Sequence, residues 1–215
     1  MNQPTLTPIL TDTWIKTTWE NYLKLTQDSH YENAIFYYDQ GWMKIEMSPI
    51  GIAHARDNSI LSTVIIIYAA LNNIPIKELT NCSYQKTGIR EVQPDISYYV
   101  GENLPNLPRN NSPINLDEVV SPTLIIEIGS SSYLDDIGKK RLLYEQLEIK
   151  EYWVVDVAES TVIAFTMENQ GSYQIRESQV LVGLSIALVE EALKRSKIED
   201  DNTITRWLMS TFQAL

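Results

Sequence analysis

Two carboxylates sit in apolar company: Asp95 opens the stretch PDISYYV, and Glu127 lies inside LIIEIG. A carboxylate buried in a sheet is costly, because it loses its hydration and gains nothing unless a partner or a metal replaces it. A divalent cation relieves that cost. Mg²⁺ keeps several waters and takes one or two carboxylates, so two acids on adjacent strands are the smallest protein share of such a site. Beyond Glu127, the residues Asp136, Lys140 and Tyr144 recur at four-residue intervals and share one face of a helix, while Lys139 and Arg141 point elsewhere. A lysine beside a metal can orient or help deprotonate an attacking water, and it can stabilise charge developing on a phosphoryl group. Upstream, either Glu32 or His54 could complete the metal shell or a proton path.

Each of these residues has an ordinary alternative. An aspartate at a strand edge suits a turn or cap, and alternation in an edge strand would turn Glu127 to solvent. Asp136 with Lys140 is also a common helical ion pair worth about 0.2–0.5 kcal/mol. His54 could simply begin a helix, and Tyr98, Tyr99, Tyr152 and Trp153 read as core aromatics rather than base-stacking platforms.

The elements that must position these groups follow from periodicity. Thr17 or Thr18 caps a short helix with Trp19, Tyr22, Leu23 and Leu25 on its apolar side, and strands over 31–38 and 42–47 form a hairpin around Asp39, Gln40 and Gly41. Apolar residues at helical spacing over 54–72 predict a long buried helix, although its Ile-Ile-Ile centre has strand propensity. Residues 76–87 and 92–100 read as strands, the second with Pro94 near its start. The stretch 101–122 carries four prolines and no period, which suits a functional loop or a bland insertion. Next come a strand at 123–128, a helix at 133–147 and a strand at 152–157, a crossover unit whose two strands should be parallel neighbours. Strands at 162–166 and 173–176 and helices at 185–195 and 203–212 complete the chain.

Composition bounds the partners. Seventeen Lys and Arg against twenty-eight Asp and Glu give a net charge of −11, which argues against a basic coat that binds nucleic acid everywhere, so any such role must be local and metal-assisted. Lys86, Arg90, Lys139 and Arg141 are the candidates for a local positive rim. The single cysteine, Cys82, can form no internal disulfide and no Cys-based zinc site, which fits a reducing cytoplasm. The longest apolar run, 64–71, is far below the roughly 20 residues a membrane span needs, and no basic-then-apolar start suggests a signal peptide. With 215 residues, 44% of them hydrophobic, the expectation is a tail over 1–12 and a single domain over 13–215.

The order Glu32, His54, Pro94-Asp95, Glu127, Lys140 resembles the PD-(D/E)xK nuclease superfamily and, within it, the Uma-two endonuclease family, long catalogued as a domain of unknown function and abundant in cyanobacteria. The likeness rests on Tyr31-Glu32, on MSP at 47–49 followed by His54, on QPDISYYV at 93–100, on IIEIGSSSYLDDIGKKRLLYEQLEIKEYWVVD at 125–156 and on VGLSIALVEEAL at 182–193. It implies an α/β (α+β) fold, a restriction-endonuclease-like mixed sheet flanked by helices with an N-terminal helix and hairpin. It also implies a Mg²⁺- or Mn²⁺-dependent DNA endonuclease with Asp95 as the motif aspartate, Glu127 as the second acid and Lys140 as the lysine. Glu32, His54, Asp136 and Tyr144 would support them. An E-x-K motif would put the lysine at 129, where this chain has Gly129, so the lysine must come from the following helix. A non-catalytic binding or assembly module on the same fold is the competing expectation. A homodimer is expected for cutting both strands, with Ile186, Leu188, Val189, Leu193, Trp207, Leu208, Met209 and Phe212 as its apolar surface.

Overall fold

The computed structural model describes residues 10–47, 51–129, 132–169 and 171–214. Residues 1–9, most of the expected tail, lie outside this set. Helix α1 (Trp19–Thr26) is capped by the Thr18 side chain, which accepts from the Asn21 amide. The hairpin consists of β2 (Ile35–Asp39) and β3 (Trp42–Glu46), with β1 (Ile15–Lys16) beside β3. Its first strand starts later than the sequence suggests, because Asp28 accepts from the His30 amide and caps a 3₁₀ turn over Ser29–Tyr31.

After α2 (Ile52–Leu71), the expected strand at 76–87 divides into β4 (Ile76–Thr80) and β5 (Tyr84–Lys86), with Asn81 between them at a φ of 51°. The next stretch divides around Pro94 into β6 (Arg90–Val92) and β7 (Ile96–Val100). Each division carries the chain between sheets, so the strands form two six-stranded mixed sheets. The first has the order β1-β3-β2-β6-β5-β8, where β8 (Ile114–Asn115) is a short strand inside the proline-rich stretch. The second, β12-β11-β10-β9-β7-β4, contains β9 (Leu124–Gly129), β10 (Glu151–Asp156), β11 (Thr161–Glu168) and β12 (Gly171–Ile175). β9 and β10 are parallel neighbours, as the crossover pattern predicts.

Period-two alternation gives each sheet two occupied faces. Phe36, Tyr38, Met43 and Ile45 pack with Tyr22 of α1, while Tyr37, between them in sequence, joins a cluster with Tyr99, Ile125, Tyr152 and Val154 of the second sheet. Tyr98, Leu124, Ile126 and Trp153 face the other way, onto α2, α5 (Ile186–Arg195) and α6 (Asp201–Gln213). Burying a Val, Leu or Ile side chain contributes about 1.5–3 kcal/mol, so this large cluster anchors the second sheet. The C-terminal helices spend their apolar residues there. Ile186, Val189, Leu193, Leu208 and Phe212 are buried, Leu188 and Trp207 pack against them, and Met209 is exposed. The apolar patch expected to support a homodimer is therefore mostly core.

The crossover helix is irregular: α3 (Tyr133–Asp135) runs into a π-helical turn (Asp136–Lys140) and then α4 (Arg141–Glu145). Such turns widen a helix locally and often mark functional positions. Among the described residues no helix is long and apolar enough to cross a membrane.

Candidate active site

β7 and β9 are antiparallel, with Ile96 opposite Ile126. One residue further along the same register, Asp95 stands beside Glu127, and residues directly opposite in such a pair point to the same face. That face looks toward the first sheet. The Ile128 amide donates to Asp95 Oδ2 at 2.7 Å, and His54 Nε2 lies 3.1 Å from Asp95 Oδ1. Glu127 Oε1 accepts from the Tyr144 hydroxyl at 2.6 Å, with the Tyr37 hydroxyl 3.2 Å away. Its Oε2 has the Lys140 ammonium at 3.9 Å, beyond hydrogen-bond reach.

Lys140 is 1% exposed and its Nζ lies 2.9 Å from Asp136 Oδ1, 3.0 Å from Glu46 Oε1 and 3.1 Å from the Tyr37 hydroxyl. Burial alone would lower its pKa, but Glu127, Asp136 and Glu46 override burial and hold it well above the ordinary lysine value. Lys140 is thus a fixed ammonium, suited to stabilising negative charge rather than to accepting a proton. Burial pushes the Glu127 pKa well up, and Asp95 and Asp136 push the same way against Lys140 and Tyr144. The hydrogen bond to Asp95 raises the His54 pKa against the effect of burial.

Asp95, Glu127, Lys140 and His54 line one cavity of about 580 Å³, together with Tyr37, Lys44, Glu46 and Trp14. Asp136 and Tyr144 stand behind it, bonded to Lys140 and Glu127 respectively. Glu32 does not join them. It is exposed, ends the 3₁₀ turn and lies outside the cavity lining, because β2 begins four residues later than expected. Its place is taken by Glu46, which contacts both Lys140 and Lys44, the latter at 2.7 Å. A signal for this pair existed: in WMKIE the residues Lys44 and Glu46 alternate with Met43 and Ile45, so both charges share one face of β3.

The expected rim also differs. Arg90 is buried on Asp39, Arg141 pairs with Glu145 and Ser172, Lys86 lines another cavity, and Lys139 lies over the Trp14 and Trp42 rings. Gly129 explains the displaced lysine. A Cβ there would meet Asp136 Oδ2 at 2.7 Å and the Tyr133 Cα at 2.8 Å, so the crossover helix occupies the space a lysine at this position would need.

The donor set suits a hard divalent cation. Glu46, Asp95, Glu127, Asp135 and Asp136 face Lys44, Lys140 and His54, a surplus of negative charge that such an ion would neutralise. Among the described residues no three His, Cys, Asp or Glu side chains are already gathered as ligands. Asp95 and Glu127 would be the protein's share, with water supplying the rest.

A mixed sheet core with this cavity at the strand ends defines a nuclease-like α+β fold. It is shared with a solved structure described as "a putative nuclease belonging to DUF820" from Anabaena variabilis ATCC 29413, at 19% identity and a TM-score of 0.56 over 82% of this chain and 99% of that one. No curated protein matches the chain. The Uma2 family, described as "Putative restriction endonuclease", matches residues 19–197, and the chain belongs to it.

Glu127→Gln is expected to leave the metal-free fold as stable or more so. A carboxyl whose pKa is raised on folding contributes stability that is present below about pH 4.5 and is lost as pH rises toward the raised value. The variant lacks that part of the slope. In melting curves, saturating Mg²⁺ should stabilise wild type by about 2.7 kcal/mol at a hundredfold excess over Kd and leave the variant unmoved. An equal Mg²⁺ response in the variant removes Glu127 from the ligands.

Proposed function

We propose that this protein is a metal-dependent DNA endonuclease in which Asp95 and Glu127 hold Mg²⁺ or Mn²⁺ and Lys140 stabilises the reacting phosphate. The observation that carries the reading is the cross-strand position of the two acids on one face, with the Lys140 ammonium in the same cavity. When bound, the ion would polarise the phosphate and lower the pKa of a water. The protein's groups do the rest. His54 and the Ile128 amide fix Asp95, and the Tyr144 hydroxyl holds Glu127 Oε1. Asp136 and Glu46 keep Lys140 charged and immobile, so its field meets the charge that builds on the phosphoryl oxygens as water bonds to phosphorus and the strand's oxygen leaves. The protein works in a reducing cytoplasm, where the lone Cys82 stays a free thiol.

The surplus of acids in the cavity favours a second reading, a non-catalytic binding module on the nuclease fold. Supercoiled plasmid with Mg²⁺ or Mn²⁺ separates the two. Wild type should cleave, and Asp95→Ala should lose on the order of a hundredfold or more, since metal stabilisation of the transition state is worth several kcal/mol. Equal cleavage by both proteins, or none by wild type, sinks the endonuclease. A homodimer belongs to the proposal because two symmetry-related sites most simply cut both strands. Sedimentation at micromolar concentration checks it, and a species near the chain mass of 24.6 kDa would leave a nicking enzyme.

A further inference from the structure

A series of cations and aromatic rings runs from the protein surface to Lys140. Lys16 Nζ lies 5.2 Å from the centre of the Trp42 ring, and Lys139 Nζ lies 4.6 Å from that ring and 4.0 Å from Trp14. Trp14 stands 6.4 Å from the Tyr37 ring, over whose face Lys140 sits at 4.2 Å. Register explains the outer end: β1 pairs with β3 so that Lys16 is directly opposite Trp42. Lys16 is exposed, Trp42 is 38% exposed and Trp14 lines the cavity, so the series leads from solvent inward. The Trp14 indole is held in place by donating to Asp135 at 3.0 Å.

Among the described residues neither Lys16 nor Lys139 has a carboxylate within 4.0 Å, although the net charge is −11. Each rests on a ring instead. Burial lowers the Lys139 pKa, against the pull of Asp135 and Asp39, so its position is not the cheapest one for an ammonium.

We propose that Lys16, Trp42, Lys139 and Trp14 form the track along which one unpaired DNA strand enters the cavity, an inference that rests on the endonuclease reading. Unpaired bases expose π-faces that any aromatic ring can stack, without regard to sequence. A base that displaces an ammonium from a ring frees that ammonium for the adjacent phosphate, so each lysine guards a stacking face in the free protein and neutralises charge in the bound one. A duplex hides its base faces and offers mainly phosphates, which call for a broad basic surface. In the cavity itself only Lys44 and Lys140 carry fixed positive charge among the described residues.

The test is fluorescence anisotropy of the full chain in chelator, with a labelled mixed-sequence oligonucleotide as a single strand and as its duplex. The single strand should bind at least tenfold tighter and quench tryptophan emission. Trp42→Ala should weaken single-strand binding about tenfold, and Trp42→Phe should keep most of it. Lys139→Gln should weaken it severalfold and lower the salt slope by about one. Duplex binding as tight as single-strand binding, no measurable single-strand binding, or an unaffected Trp42→Ala overturns the track. Because no metal is present, the outcome is independent of cleavage. Single-strand binding that depends on Trp42, in a protein that cuts nothing, leaves the track and removes the endonuclease. Plasmid cleavage without that dependence does the reverse.

Discussion

Replacing Lys140 by methionine should cost on the order of 3–5 kcal/mol of folding stability, besides abolishing any cleavage. Total stability of a domain this size is typically about 5–15 kcal/mol, so the variant would stand near the edge of folding. The reason lies in what the ammonium leaves behind. Asp136 at 2.9 Å, Glu46 at 3.0 Å and Glu127 at 3.9 Å share this one cation, and both Glu127 and Asp136 are buried. Without Lys140 they must take up protons or repel one another in a poorly solvated space. Arginine is no substitute, because its planar fork is larger than an ammonium and Lys140 is fully enclosed. Urea unfolding checks the size of the loss, and Lys140→Met combined with Asp136→Asn should recover part of it, as neighbours that share a partner do not add. A loss below about 1 kcal/mol would mean that the acids already hold protons and need no cation.

The crossover unit was legible because its signals agree: an apolar run, a serine-rich turn, a helical period and a second apolar run lead to parallel β9 and β10 with the helix between them. Asp95 and Glu127 were legible for a related reason, since an acid in an apolar strand has few explanations. The division of strands between two sheets was not, because alternation says which residues face inward but not which sheet they face. Tyr37 shows the difficulty. It reads as one of three consecutive aromatics in the hairpin, yet it alone turns to the second sheet and meets Glu127 and Lys140. The same gap favours Glu32 and hides Glu46, both acids at the margin of the hairpin, because the sequence does not show that the 3₁₀ turn shortens the first strand. The π-turn leaves no mark in spacing, because Asp136, Lys140 and Tyr144 share a face in either kind of helix. The aromatics proposed for stacking, Trp14 and Trp42, stand at or beside strand ends, while Tyr98, Tyr99, Tyr152 and Trp153 are all core.

Gly129→Lys, which would restore the in-strand E-x-K spacing, should damage the protein instead of improving it. The Cβ alone meets Asp136 Oδ2 at 2.7 Å, the Tyr133 Cα at 2.8 Å and the Tyr133 Cβ at 3.1 Å. A carboxylate oxygen can swing aside, but a backbone atom moves only with its helix. Overpacking of this kind typically costs about 1–3 kcal/mol, and Gly129→Ala should already show it in a lowered melting temperature. The effect on activity should be larger than the effect on stability. Moving Tyr133 and Asp136 shifts the carboxylate that holds Lys140 at 2.9 Å, and a misplacement near 1 Å can cost about a hundredfold in rate. The strand lysine and the tightly docked helix are therefore alternatives for one volume, and this chain has the helix. The double variant Gly129→Lys, Lys140→Met decides the matter in the plasmid assay. Activity near wild type would show that position 129 accepts the lysine after all, whereas the packing of Tyr133 and Asp136 on Gly129 requires that it stay inactive.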